Sequence, residues 1–264
     1  MREGGTSNDV ACAHYLGCLC ADAVERSAAL SRRPGMGLRT RTKVIIGITT
    51  GVVVVGAAAL IGGPLIYANV VNGQAAAAPS LAPSSSATLD ASDADGTWTS
   101  RDTSYAGYRV HEVLQGQDVD VVGRTKQVEA DATVDRGQLR KATVTVQVAK
   151  ISTPEAARDA YFRSKALETD QFPTATFTVT KPVNVSQALA GTTQDVSLTG
   201  TMDLHGVEKP VTADAQVAVG EDGTVQVAGS VPVTFADYGV TAPSLGFVTV
   251  DGKGSVEFSL DLAR

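Results

Sequence analysis

Cysteine is missing from the last 244 residues of this 264-residue chain, because Cys12, Cys18 and Cys20 are its only three. The C-terminal part therefore has no disulfide, no thiol nucleophile and no thiolate metal site. Cys18-Leu-Cys20 has no second pair to complete a zinc site. Histidine is nearly as scarce: His14, His111 and His205 are all there are, too few for a transition-metal centre without a carboxylate cluster, and the carboxylates are scattered. No Gly-x-Ser-x-Gly elbow and no phosphate-binding loop occurs. Aromatics make up only 5% of the residues. Basic charge is lacking where nucleic acid would need it. From Asp90 onward there are fifteen Lys and Arg against twenty-four Asp and Glu, whereas residues 1–43 hold seven against four. An acidic half of this kind excludes a phosphate-backbone partner. Nothing in these absences leaves room for an active site, so the expectation is a protein that is not an enzyme and needs no cofactor.

What the chain does have is one long apolar run. Val44–Ala68 is 25 residues without a charge, which as a helix spans about 37 Å and crosses a hydrocarbon core of about 30 Å with some tilt. Arg32, Arg33, Arg39, Arg41 and Lys43 precede it and no basic residue follows before Arg101. The positive-inside rule then places the N-terminus in the cytoplasm and the rest outside. The alternative is a cleaved secretory signal, with Ala75-Ala76-Ala77 as small residues for cleavage. The apolar run exceeds the usual signal core of roughly 7–15 residues. The expected organisation is a basic cytoplasmic segment (1–43, with translation starting at Met36 as an alternative), a transmembrane helix (44–68), an Ala/Ser/Pro-rich linker (69–95) and a folded domain (96–264).

From Thr97 the texture becomes period-two alternation, the mark of strands with one apolar and one wet face. "ATVTVQV" aligns Val144, Val146 and Val148; "TFTVT" aligns Phe177 and Val179; "VSLTGTMDL" aligns Val196, Leu198, Met202 and Leu204; "VQVAGSVPVTF" runs to Phe235. Eight runs emerge, near 104–111, 119–134, 139–151, 174–185, 194–205, 209–220, 224–235 and 247–263. Their connections are too short for crossover helices, so the sheet is expected to be antiparallel. One segment, "STPEAARDAYFRSKALE", reads as a short helix, with Ser152 or Thr153 as cap, Pro154 in the first turn and Glu155 three after Ser152. "LTGTMDLHGVEKPVTA" poses a choice for His205: catalytic cluster or turn. Alternation on both sides, Gly206 and Pro210 make it a hairpin turn facing solvent, with Asp203 as its nearest surface contact.

In order, several segments resemble the YceI-like family of exported polyisoprenoid-binding proteins. "TSYAGYRV" (103–110) is similar to the family's opening strand and "VVGRT" (121–125) to its Val-x-Gly step. "ISTPEAARDAYFRSKALETDQFPTATF" (151–177) carries Arg158-Asp159 and then Phe172-Pro173. "LTGTMDLHGVEKPV" (198–211) carries Gly200 and Gly206, and "VTFADYGV" and "VTVDGKGSVEFSL" close the set. Departures are Glu208, where the family often has Thr, and Phe235-Ala236 before Asp237-Tyr238-Gly239, where it often has a basic residue. The resemblance implies an all-β fold, an eight-stranded antiparallel lipocalin-like barrel with a short helix, here behind one transmembrane helix, holding a long-chain isoprenoid or other apolar lipid. From alternation, Val144, Val146, Phe177, Val179, Leu198, Met202 and Phe235 are the expected wall residues. Arg158, Asp159, Phe172, Pro173, Gly200 and Gly206 are expected to be structural, with Arg158 and Asp159 organising the helix junction rather than touching ligand. Each buried ligand CH₂ adds about 0.8 kcal/mol, so an isoprenoid tail can offset association costs of roughly 4–15 kcal/mol. A packed, ligand-free barrel used as a cell-envelope interaction module is the other reading. A homodimer is compatible with either.

Overall fold

The computed structural model describes residues 75–81, 87–244 and 246–264. The expected transmembrane helix at 44–68, the cytoplasmic segment and the start at Met36 lie outside the described residues. Among the described residues no helix is long and apolar enough to cross a membrane.

The strands are β1 (Gly96–Ser100), β2 (Tyr105–Leu114), β3 (Gln117–Thr125), β4 (Val128–Asp135), β5 (Gln138–Gln147), β6 (Thr174–Val179), β7 (Val183–Asn184), β8 (Gln194–Leu204), β9 (Val207–Val219), β10 (Val225–Thr234) and β11 (Val248–Ala263). β1 and β2 follow one edge of β11, and together they pair antiparallel with β4 and β3. Each couple thus acts as one bent stave. The remaining pairings run β4-β5-β6-β8-β9-β10-β11 in chain order, and β1 meets β11 to close the ring. The result is an eight-staved antiparallel barrel in which sequence neighbours are spatial neighbours. β7 lies off this path and pairs with the start of β5; Pro182 separates it from β6 and ends the run that alternation extends to residue 185.

The alternating faces fall as the period-two pattern requires. Trp98, Ala132, Leu198, Met202, Val217, Val231 and Leu260 are buried in one interior cluster. At one end α1 (Ala91–Ala94) and α3 (Ser186–Leu189) bury Ala94 and Leu189 against Val185 and Val219. The folded domain therefore begins before residue 96. Leu89 N donates to Leu189 O at 2.9 Å and Ala87 N to Val219 O at 3.0 Å, so the last third of the expected linker is part of the barrel. Some apolar side chains there (Leu89, Ala94) are enough to dock it.

At the other end sits α2 (Ala156–Tyr161), followed by a π-helical turn (Phe162–Ala166). The expected capping box does not form. Ser152 is occupied in a backbone bridge with Arg124, N to O at 3.1 Å in both directions. Thr153 does the work instead: its Oγ1 accepts from Glu155 N at 3.1 Å and donates to Asp159 Oδ1 at 2.9 Å, and its own N–H donates to the same oxygen at 3.0 Å. Pro210, expected to end the hairpin turn, lies inside β9 opposite Thr201. It is tolerated because β10 pairs with β9 only over Asp214–Val219, leaving Pro210 without a neighbour on that edge. Pro232 stands likewise in β10 beyond the last β9 pair. β9 and β10 splay apart there, toward the end that carries α2.

Candidate ligand cavity

Two apolar cavities follow from this shape. The smaller, about 120 Å³, lies in the barrel between Trp98, Leu198, Val217 and Leu260. At this size it resembles an engineered apolar void of about 150 Å³, which stays dry. The larger, about 490 Å³, lies at the α2 end, where the barrel is splayed. It falls within the roughly 300–1,000 Å³ of small-molecule sites. Ala106, Val146, Ala175 and Val256 line both, so the two share a wall inside the barrel. All four are Ala or Val, and short side chains leave the space between the strands unfilled.

Val144, Val146, Phe177, Val179, Leu198 and Met202 all line the smaller cavity. Phe235 does not: it lines the larger one, with Val146 reaching both. Strand alternation identifies the inward face but not the height along the barrel, and Phe235 starts the 3-10 turn Phe235–Tyr238 beyond the end of β10. Gly200 leaves no room for a side chain against β6: a Cβ there would clash with Thr178 O and lie 2.6 Å from the Phe177 ring. Asp159 holds the helix junction through Thr153, as above. Phe172 and His205 meet edge to face at 4.7 Å, and Pro173 O accepts from Val148 N at 3.0 Å.

His205 does form a turn, yet it does not face solvent. Its φ is +55 and that of Gly206 is +72, the two positive values of a type I′ hairpin. Its ring packs inward, with Nδ1 2.9 Å from Tyr238 O and Nε2 3.6 Å from the Glu168 carboxylate. The expected contact with Asp203 is replaced by partners from distant segments: Tyr238, Glu168 and the Phe172 ring.

The larger cavity also has a polar wall, which strand alternation does not anticipate. Glu112 points inward from β2, on the face that carries Val110 and Leu114, and is 4% exposed. Arg158 reaches over from α2 and its Nη2 donates to Glu112 Oε1 at 2.9 Å. Arg158 therefore does more than hold the helix junction: it lines the cavity. Tyr108 lies on the same wall, stacked on Phe162 at 5.0 Å. Burial pushes its phenol up to about 12, against the lowering effect of Arg158. The signal was present in "RVHEVL", where one charged residue interrupts an otherwise apolar face.

A second buried carboxylate lies outside the barrel wall. Glu257 is 3% exposed although it faces away from the interior. Arg109 Nε donates to it at 2.6 Å, and Arg124 lies 3.6 Å away. The segment at residues 76–77 covers the group, with Ala76 O accepting from Arg109 and Ala77 O from Arg124, each at 2.6 Å. Among the described residues no group of three or more His, Cys, Asp or Glu is placed to hold a metal ion.

The sequence model of the YceI-like domain matches residues 85–262. Protein YceI of Escherichia coli is 36% identical over 84 residues, 31% of this chain and 40% of its own length. Protein YceI of Shigella flexneri is 34% identical over the same shares. The chain thus spans about 40% of the length of the curated relatives it matches. Among solved structures, a polyisoprenoid binding domain from Saccharophagus degradans superposes with a TM-score of 0.50 at 18% identity, covering 64% of this chain and 98% of that one. BcnA of Burkholderia cenocepacia gives a TM-score of 0.47 at 19% identity, covering 60% and 96%.

Proposed function

The chain belongs to the YceI-like family, and on that premise we propose that it is a membrane-tethered, extracytoplasmic binding protein. It holds one long apolar lipid, a polyisoprenoid, inside its barrel for carriage, storage or scavenging, and performs no chemistry on it. The observation that carries this reading is the 490 Å³ apolar cavity, which shares Ala106, Val146, Ala175 and Val256 with a second void deeper in the barrel. A headgroup at the splayed end and a tail running inward fit that outline. The fold is that of a Saccharophagus degradans domain described as polyisoprenoid binding. The charge-free run Val44–Ala68, with its basic approach, supports tethering with the barrel outside.

Native mass spectrometry of the full chain, followed by organic extraction, tests the proposal. The expected result is a discrete extra mass that extracts as a polyprenyl species. A bare mass, unchanged after incubation with polyprenols and isoprenoid quinones, overturns it and favours a packed barrel that serves as an interaction module. The same intact mass shows whether residues 44–68 are retained, as tethering requires, or removed as in a secreted protein.

A further inference from the structure

Taking the larger cavity as a lipid site, we infer that the Glu112–Arg158 pair makes its polar wall an electroneutral headgroup subsite. It takes an uncharged head with a carbonyl or hydroxyl oxygen, a quinone or a free prenol, and refuses a prenyl diphosphate.

The charge inventory of the cavity carries this. The Arg and acidic residues lining it are Arg109, Glu112, Glu155 and Arg158. Arg109 turns its guanidinium to the outer face, where Glu257 and the Ala76 carbonyl take it at 2.6 Å each. Arg158 is held by Glu112 at 2.9 Å, with side-chain exposures of 23% and 5%. Each cation therefore already has its own carboxylate, and exposed Glu155 adds a further negative charge at the rim. Phosphate recognition calls for cations free to form bidentate, charge-assisted bonds. A diphosphate here would sit beside two carboxylates in a medium of low dielectric, or would have to strip Arg158 from Glu112 and leave that carboxylate buried and unpaired.

A neutral head meets neither cost. A guanidinium has five N–H donors and a carboxylate about four acceptor sites. Among the described residues only the Nη2 of Arg158 is engaged, by Glu112. A quinone carbonyl can accept from a remaining N–H, and a prenol hydroxyl can also donate to Glu112, without breaking the pair. Tyr108 stands on the same wall as a neutral phenol at ordinary pH.

The test uses three probes with the same C20 tail on the delipidated full chain: geranylgeraniol, menaquinone-4 and geranylgeranyl diphosphate. The single Trp98 lines the inner cavity and reports arrival of the tail. The alcohol and the quinone are expected to bind at least tenfold more tightly than the diphosphate. Glu112→Gln frees Arg158 and is expected to shrink that ratio by improving the diphosphate. A native protein that binds the diphosphate as tightly as the alcohol overturns the subsite while leaving the lipid-binding reading intact. Binding of none of the three removes both. The native comparison does not depend on the variant folding.

Discussion

At the scale of single residues, the informative positions are those where a charge breaks a pattern. Glu112 sits where alternation calls for an apolar side chain, and Arg158 offsets its burial from another element. Tyr108 beside them has a folded pKa raised above its ordinary 10.0 to about 12, chiefly through burial. The folded state therefore holds the phenol proton more tightly than the unfolded chain does. Its share of stability is complete below about pH 10 and is lost as the pH climbs from there toward 12. Urea midpoints of the native protein are expected to fall more steeply between pH 9.5 and 11.5 than those of Tyr108→Phe; equal slopes would refute the assignment. Glu112 was legible as an anomaly in "RVHEVL". Its partner was not, since forty-six residues separate Glu112 from Arg158 and no local rule links them.

At the scale of elements, three hairpins share one device. Gln115-Gly116, Arg136-Gly137 and His205-Gly206 each hold two successive positive φ values, at +50 and +79, +51 and +71, and +55 and +72. Such turns match the twist of the strands they join but favour Asn, Asp or Gly at the first position, so Gln, Arg and His sit there at a cost. Gln115→Asn is therefore expected to raise stability by about 0.5 kcal/mol. Gly206→Ala should lower it by about 1–3 kcal/mol, because a Cβ there meets the Phe172 ring at 2.5 Å as well as the strained backbone. Urea denaturation of the two variants against the native protein checks both signs. Strand existence and order were legible from period-two alternation, and His205-Gly206 from its flanking strands. Of the two expected cap residues, Thr153 rather than Ser152 bonds the helix start, because Ser152 is recruited into a bridge with β3.

At the scale of the whole molecule, closure of the ring through β1 and β11 converts eight alternating runs into an enclosed interior. Splaying of β9 from β10 past Asp214 and Ser230 then opens that interior toward α2. The two cavities meet at Ala106, Val146, Ala175 and Val256, so the junction between them sets how deep a tail can reach. Ala175→Leu is expected to shorten the longest isoprenoid that the protein retains, at a stability cost of about 1–3 kcal/mol from overpacking. Extraction and mass analysis of lipids carried by native and variant protein would show it. An unchanged chain length would mean that the tail does not pass this point.

The sequence alone determined most of the strands, their order and their apolar faces, because alternation is local and each run pairs with its neighbour in the chain, and its ordered motifs pointed to the family; β1 (Gly96–Ser100), which closes the ring, lay outside the eight runs. The sequence also placed six of seven expected wall residues on one inward surface. Only the tertiary structure decided where along the barrel the space lies, that Phe235 belongs to the outer cavity, that Glu112 meets Arg158, and that residues 76–77 cover Glu257. These depend on how far strands diverge and on side chains from remote segments meeting. Packing in three dimensions settles such distances, and no period along the chain encodes them.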